Sequence, residues 1–203
     1  MVSTLAFFMT IWIKLFFVLT PFFALTMFIT LTEGHDRQHR RRLALSVSWA
    51  AAIICLVLFF VGRQVFAIFG ITLDSFRVGA GILLLLSGIS LGQGRAGTGG
   101  GVTEGDITVV PLAIPIVVGP ATTGTLLVMG AELNTWHGKI AGSLALLAAV
   151  ASVGGILFSA TALQRMLGLR GIAILSRLTG LIVAALASQM IMTGLCNFLT
   201  VSV

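Results

Sequence analysis

Helix-breaking residues are concentrated in one apolar stretch of the sequence, VVPLAIPIVVGPATTGTLL at positions 109–127. Each proline removes a backbone donor and clashes with the carbonyl group four residues earlier, so Pro115 and Pro120 interrupt helical hydrogen bonding. In an apolar run, freed N–H and C=O groups are tolerated only where they line a cavity or are buried in protein. The stretch therefore predicts a broken helix whose N–H groups bind an anion such as a carboxylate, and whose carbonyl groups bind a cation or an ammonium group.

Hydroxyl side chains accompany these breaks. Thr122 and Thr123 follow Pro120 directly, and a second break at Pro21 has a threonine on either side. All four prolines of the chain fall in these two stretches, which favours a substrate site over kinks that only serve packing, although proline is frequent in membrane helices. The candidate substrate-binding residues are Thr20, Pro21, Thr26, Pro115, Gly119, Pro120, Thr122 and Thr123.

The composition indicates what must position these residues. Of 203 residues, 58% are hydrophobic and 9% are charged, whereas a soluble domain carries roughly 25% charged residues. This excludes an ordinary soluble enzyme and a disordered chain. At about 20 residues per span, the length suits about six membrane helices and no separate soluble domain. The apolar segments lie near residues 7–31, 44–66, 78–92, 108–130, 140–162 and 178–200.

The basic residues predict the orientation of these helices. The loop after the first segment carries Arg37, Arg40, Arg41 and Arg42, and the third and fifth loops are also basic. By the positive-inside rule these loops are cytoplasmic and both termini lie outside. The net charge of +6 is thus explained by topology, with anionic-lipid binding as the alternative for the first loop, and nucleic acid is excluded as a partner.

The two halves of the sequence resemble each other. SFRVGAGILLLL, from Ser75, matches SRLTGLIVAALA, from Ser176, which places Arg77 opposite Arg177, and a weaker match places Pro21 opposite Pro115. Because each half has three spans, the halves must enter the membrane in opposite directions, as in many secondary transporters. The two arginines stand at the starts of apolar helices, where they either gate the protein or anchor it at the interface.

The predicted fold is therefore an all-α polytopic membrane protein with six transmembrane helices. These helices form two inverted three-helix repeats, in which the first and fourth helices are broken by proline. The first repeat covers residues 1–92, a glycine-rich cytoplasmic linker covers 93–107, and the second repeat covers 108–203, all within one membrane domain. The GxGxxG letters of the linker follow a membrane helix and not a strand, so they do not indicate a dinucleotide site.

Acidic and histidine side chains are missing from the middle of the predicted spans. No Asp, Glu or His lies deep in a span, which argues against an obvious proton relay and against an intramembrane enzyme. The two cysteines are far apart and form no cluster with histidine, so no metal site and no cofactor are expected. A coupling ion, Na⁺ or H⁺, is left open. The expected partners are the lipid bilayer and a small-molecule substrate, with a homo-oligomer also left open.

These motifs resemble those of the MarC family. PLAIPIVVGPATTG, from Pro111, is similar to that family's fourth-helix hallmark PLAxPxxxGPG, and FGITLDSFRVGAGI, from Phe69, is similar to the start of its third helix. TPFFALTMFITLTEG, from Thr20, resembles the first helix, usually NPxGNxPxFLxLTEG. This chain departs from the first-helix motif at four positions, where Asn, Gly, Asn and Pro are replaced by Thr20, Phe23, Ala24 and Thr26. Of the specified residues in the segment NPxGNxP, only the proline at Pro21 is kept.

The resemblance implies a six-helix protein of the cytoplasmic (inner) membrane, some relatives of which transport small neutral amino acids such as glycine and alanine. We therefore expect a secondary transporter for small neutral amino acids or similar solutes, which works by alternating access. One alternative is a non-transporting membrane subunit or assembly factor, in which the kinks only serve packing. A second alternative is a channel, against which the lack of a continuous polar lining counts.

Overall fold

Every regular element in the described residues, 4–94, 118–133 and 135–201 of a computed structural model, is an α-helix. Pro115 and all but the first two residues of the predicted linker 93–107 lie outside these ranges. The helices are α1 Thr4–Val18, α2 Pro21–Leu31, α3 Arg37–Phe69, α4 Leu73–Gly92, α5 Pro120–Glu132, α6 Trp136–Phe158 and α7 Ala160–Val201.

Five stretches are long and apolar enough to cross a bilayer, and the first of them combines α1 and α2. They are Ala6–Leu31, Arg37–Phe69, Leu73–Gly92, Trp136–Phe158 and Ala160–Thr200. The helical, multi-span class predicted from the composition is thereby confirmed. The fourth predicted segment, 108–130, is described only from residue 118 onward, where it forms the start of α5.

Local sequence determines where several helices begin and end. The hydroxyl groups of Thr72 and Thr135 accept hydrogen bonds from the N–H groups of Ser75 and Gly138, which caps α4 and α6. Gly70, with φ 62°, ends α3, and Gly168, with φ 64° and ψ 171°, interrupts α7. A side chain at a positive φ would be strained, so glycine is suited to both turns.

The most extensive packing contact joins α4 and α7, which run antiparallel. At one end of this pair Asn197 donates to Asp74 at 3.1 Å, and further along a Cβ on Gly88 would lie 2.7 Å from the Ala184 nitrogen. The main apolar core lies among α1, α2, α3 and α6 and contains Phe28 and other fully buried side chains. Large apolar side chains elsewhere face outward, as a lipid-facing surface requires.

Helices α3 and α5 approach so closely that glycine is required on both. A Cβ on Gly130 would overlap the carbonyl oxygen of Phe59 on α3, and a Cβ on Gly62 would overlap the carbonyl oxygen of Leu127 on α5. Each helix thus places a carbonyl group in the space that a side chain of the other would occupy. This contact fixes α5, a helix of only 13 residues, against the long α3.

Candidate functional site

The backbone break between α1 and α2 is the first component of the site. Thr20 adopts the left-handed conformation, with φ 47° and ψ 59°, which costs about 1–3 kcal/mol for a residue that is not glycine. Pro21, the first residue of α2, has no N–H with which to reach the Phe17 carbonyl. The N–H of Thr20 donates to that carbonyl instead, at 3.0 Å. Helix α1 therefore ends in the interior, with the carbonyl groups of its last turn available to other partners.

The first turn of α5 lies against this break. Gly119 precedes the helix and Pro120 is its first residue, an arrangement that suits proline because an N–H there would have no helical partner. Thr122 is 4% exposed, and its hydroxyl donates to the carbonyl of Val18, the last residue of α1, at 3.3 Å. The carbonyl end of one half-helix and the N–H end of another therefore meet at one point.

A cavity of about 340 Å³ lies beside this meeting point. We call it the Thr122 cavity. Among the described residues, its lining contains no ionisable side chain: it consists of four hydroxyl groups, the glycine and proline at the start of α5, and apolar groups. The residues are Val18, Thr20, Phe23, Leu83, Leu84, Leu86, Ser87, Ser90, Leu91, Gly119, Pro120, Ala121, Thr122 and Val183. Such a lining can hold a small, uncharged or zwitterionic solute by backbone and hydroxyl groups.

The predicted site residues are thus partly brought together. Thr20, Gly119, Pro120 and Thr122 line the Thr122 cavity, whereas Pro21 and Thr26 are not among its lining residues. The hydroxyl of Thr26 donates within its own helix, to the Phe22 carbonyl at 2.9 Å. Thr123 lines a separate groove on the other side of Pro120, beside α4, and Pro115 lies outside the described residues.

Arg77 forms the second polar group of the site. It is 7% exposed and donates to Asp74 one turn earlier, at 2.7 Å. Its other terminal nitrogen donates to Glu132 at the end of α5, so the arginine ties α4 to α5. Asp74 also accepts from Asn197 of α7, which extends the network to a third helix.

A second cavity, of about 260 Å³, lies beside this network, and we call it the Arg77 cavity. Lys14 of α1 lines it together with Gln189 and Thr193 of α7. Lys14 forms no ion pair with any described acid, although it lies within an apolar helix. Its side chain instead shares this cavity with the polar groups of Gln189, Thr193 and Glu132.

One apolar layer separates the two cavities. Val18 and Leu84 line both of them, and these two side chains form one buried cluster with Ala121, Val183 and Ala187. The Thr122 cavity lies on the side of the layer where α5 begins, and the Arg77 cavity lies on the side where α5 ends. The layer therefore closes the direct route between the two cavities in this conformation.

The second predicted gating or anchoring residue, Arg177, has different surroundings from Arg77. It is exposed, and its guanidinium group lies against Gly94, where a Cβ would be 3.0 Å from Nη2. No described acid forms an ion pair with it. Arg77 therefore stands in a buried network, while Arg177 lies at the surface of the opposite end of the α4–α7 pair.

Two polar residues of the Arg77 cavity, Lys14 and Glu132, were not among the predicted site residues. A lysine inside an apolar run was a signal for the first, because its position is costly without a polar cavity. For Glu132 the signal was its position in the repeat: when the two halves are aligned on Pro21 and Pro120, Glu132 lies opposite Glu33, another acid.

Replacement of Glu132 with glutamine is expected to lower the free energy of unfolding by about 1–2 kcal/mol. The buried Arg77 keeps Asp74 but loses its charged partner on α5, and the 42% exposure of the Glu132 side chain limits the loss. Thermal unfolding of the purified chain in detergent measures the effect. Glu33→Gln, at an exposed acid without an ion pair to a described residue, is the matched control. Equal melting shifts in both variants would contradict a stabilising Arg77–Glu132 pair.

Comparison with known proteins identifies a family and several relatives of this chain. Residues 5–199 match the model of a family described as MarC family integral membrane protein. A UPF0056 membrane protein of Aquifex aeolicus is 30% identical over 95% of this chain and 94% of its own. The UPF0056 membrane protein MJ1677 of Methanocaldococcus jannaschii is 33% identical over 94% and 97%. The UPF0056 inner membrane protein YhgN of Escherichia coli is 28% identical over 90% and 93%. No solved structure matches the chain.

Proposed function

Because the chain belongs to the MarC family of integral membrane proteins, we propose that it is a secondary transporter that moves small neutral solutes, amino acids among them, by alternating access. The observation that carries the proposal is the Thr122 cavity, in which the broken end of α1 meets the start of α5. Half-helix ends that meet inside a membrane protein are the usual construction of a transporter's substrate site.

The chemistry of the Thr122 cavity supports a neutral or zwitterionic substrate. The first N–H groups of α5, with the Thr122 hydroxyl, are suited to a carboxylate, and the carbonyl groups at the end of α1 are suited to an ammonium group. Because the described lining has no ionisable side chain, it offers no counter-charge to a substrate with net charge. The volume of about 340 Å³ is near the lower end for ligand pockets, so the substrate is small.

The apolar layer between the cavities supports alternating access over a permanently open channel. A carrier must keep its site closed to one side while it is open to the other, and here Val18 and Leu84 stand between the two cavities. We assign the gating role to Arg77, because its bond to Glu132 joins α4 to α5 and must be rearranged if those helices separate. Arg177, which is exposed, takes the anchoring role.

The helix starts also support the inverted repeat. Pro21 and Pro120 are both first residues of a half-helix, and this register places Thr26 opposite Thr125. Both of these hydroxyls donate to the carbonyl four residues earlier, at 2.9 Å in each case. We therefore pair Pro21 with Pro120, in place of the Pro21–Pro115 pairing suggested by the sequence.

The proposed placement is the cytoplasmic membrane, with both termini outside. The name of the Escherichia coli relative contains the words inner membrane protein, which favours this compartment. Arg37 and Arg41 of the first predicted loop lie with Arg165 at the same end of the helices, around one cavity, and the positive-inside rule assigns that end to the cytoplasm. The Arg77 cavity then opens toward the outside.

Counterflow in proteoliposomes tests the proposal. Vesicles that contain the purified full chain and a high internal concentration of unlabelled alanine or glycine are expected to take up the same labelled amino acid faster than vesicles preloaded with glutamate. Exchange of this kind is a property of a carrier, whereas a channel gives uptake that internal solute does not accelerate. Absence of both uptake and binding across a panel of small neutral solutes would favour the non-transporting membrane subunit.

A further inference from the structure

Three arginines surround a cavity of about 350 Å³ at the end of the molecule opposite Arg77. Arg37 and Arg41 stand one turn apart on α3, and Arg165 lies on the first segment of α7. Ser159 and Thr161, at the junction of α6 and α7, add hydroxyl groups to the same cavity. The arginine cavity thus collects donors from α3 and from the α6–α7 junction with the start of α7, two regions that are far apart in the sequence.

The three guanidinium groups have no acidic partner among the described residues. No described acid lines the arginine cavity, and none of the three arginines forms an ion pair with a described residue. Arg41 is held in place by the ring of Phe158, with its guanidinium carbon 4.8 Å from the ring centroid. Stacking of this kind leaves the in-plane N–H donors free for an anion with oxygen acceptors.

The surroundings of the arginine cavity favour a lipid over a soluble anion. Met166, which lines the cavity, is 82% exposed, and Phe158 marks the end of the apolar helix α6. On α3 the face that carries Arg37 and Arg41 continues, at four-residue steps, into the exposed apolar side chains Leu45 and Trp49. A headgroup in the cavity would therefore have its acyl chains alongside an apolar stripe.

From these contacts we infer that the arginine cavity binds the phosphodiester headgroup of an anionic phospholipid. The phosphate oxygens accept from Arg37, Arg41 and Arg165, the hydroxyls of Ser159 and Thr161 serve the remaining headgroup oxygens, and the acyl chains lie along α3. The site lies in the leaflet that the positive-inside rule assigns to the cytoplasm. It is independent of the proposed transport, because it uses none of the residues of the Thr122 cavity.

Native mass spectrometry of the full chain in detergent, titrated with phosphatidylglycerol or phosphatidylcholine, tests the inference. We expect retention of one phosphatidylglycerol in preference to phosphatidylcholine. Loss of one arginine near an anionic lipid weakens binding on the order of five-fold, so Arg41→Gln/Arg165→Gln is expected to weaken it on the order of 20-fold. Arg42→Gln/Arg170→Gln, which removes the same two charges from exposed residues of α3 and α7 that do not line the cavity, is the matched control.

Each outcome decides the question. Equal loss in the Arg42→Gln/Arg170→Gln control would overturn the inference in favour of diffuse surface charge, and equal retention of phosphatidylcholine would overturn it as well. Displacement of the bound lipid by inorganic phosphate at similar concentrations would instead assign the cavity to a soluble anion.

If the double variant is not monodisperse on size exclusion, Arg41→Lys replaces it. Because it keeps the charge but loses the planar stacking, it is expected to bind phosphatidylglycerol more weakly than the unaltered chain, and unchanged binding would overturn the inference.

Discussion

Replacement of Gly130 with alanine is expected to separate α5 from α3 and to lower the free energy of unfolding by about 3 kcal/mol or more. The new methyl group would overlap the backbone carbonyl of Phe59. A backbone group cannot rotate away as a side-chain tip can, so one helix must move relative to the other. Thermal unfolding of the purified chain, with the yield of monodisperse protein on size exclusion, measures the loss.

Gly155 provides the control for this substitution, because a Cβ there meets no atom within 4 Å. Gly155→Ala is expected to be neutral or stabilising by up to about 1 kcal/mol, since alanine favours the helix. Gly62→Ala, on the facing helix, should resemble Gly130→Ala, and the double variant should cost less than the sum because the first methyl group already separates the helices. A Gly130→Ala protein as stable as Gly155→Ala would contradict the close α3–α5 contact.

Replacement of Ser87 with phenylalanine is expected to abolish counterflow, with a loss on the order of 100-fold or more. Ser87 lines the Thr122 cavity from α4, and its hydroxyl donates to the Leu83 carbonyl at 2.9 Å, within its own helix. Its removal therefore leaves no buried partner without a hydrogen bond, while the ring fills the space that the solute requires. This expectation rests on the proposed transport function.

Ser188 of α7 is a matched control for Ser87. It is exposed, its hydroxyl donates to the Ala184 carbonyl at 3.0 Å in the same manner, and it does not line the Thr122 cavity. Ser188→Phe is expected to retain counterflow, and both variants are expected to melt near the temperature of the unaltered chain. Full uptake by a folded Ser87→Phe protein would exclude the Thr122 cavity as the solute's route.

Much of the architecture could be predicted from the sequence because lipid imposes strict rules on composition. The helical multi-span class followed from 58% apolar and 9% charged residues, and the family resemblance carried by PLAIPIVVGPATTG is confirmed by the match over residues 5–199. The pairing of Arg77 with Asp74 was also accessible, since residues three apart share a helix face.

The residues that line each cavity were harder to predict because the lining depends on tertiary packing. Both Thr20 and Thr26 lie close to Pro21, yet only Thr20 lines the Thr122 cavity. The αL conformation of Thr20 had no clear signal in the sequence. Lys14 and Glu132 come from helices more than a hundred residues apart in the chain, and they share the Arg77 cavity because tertiary packing brings α1 against α5. Non-local contacts of this kind leave no periodic trace.

The layer of Val18, Leu84, Ala121 and Val183 also has an electrical consequence. Where water fills the cavities on its two sides, the insulating thickness of the membrane narrows to these side chains, and most of the transmembrane voltage falls across them. One elementary charge that crosses the layer is then subject to about 2.3 kcal/mol per 100 mV over a very short path. A solute without net charge is not driven by this force, so voltage could act on the proposed transport only through a charged companion ion or through charged side chains that move in the field.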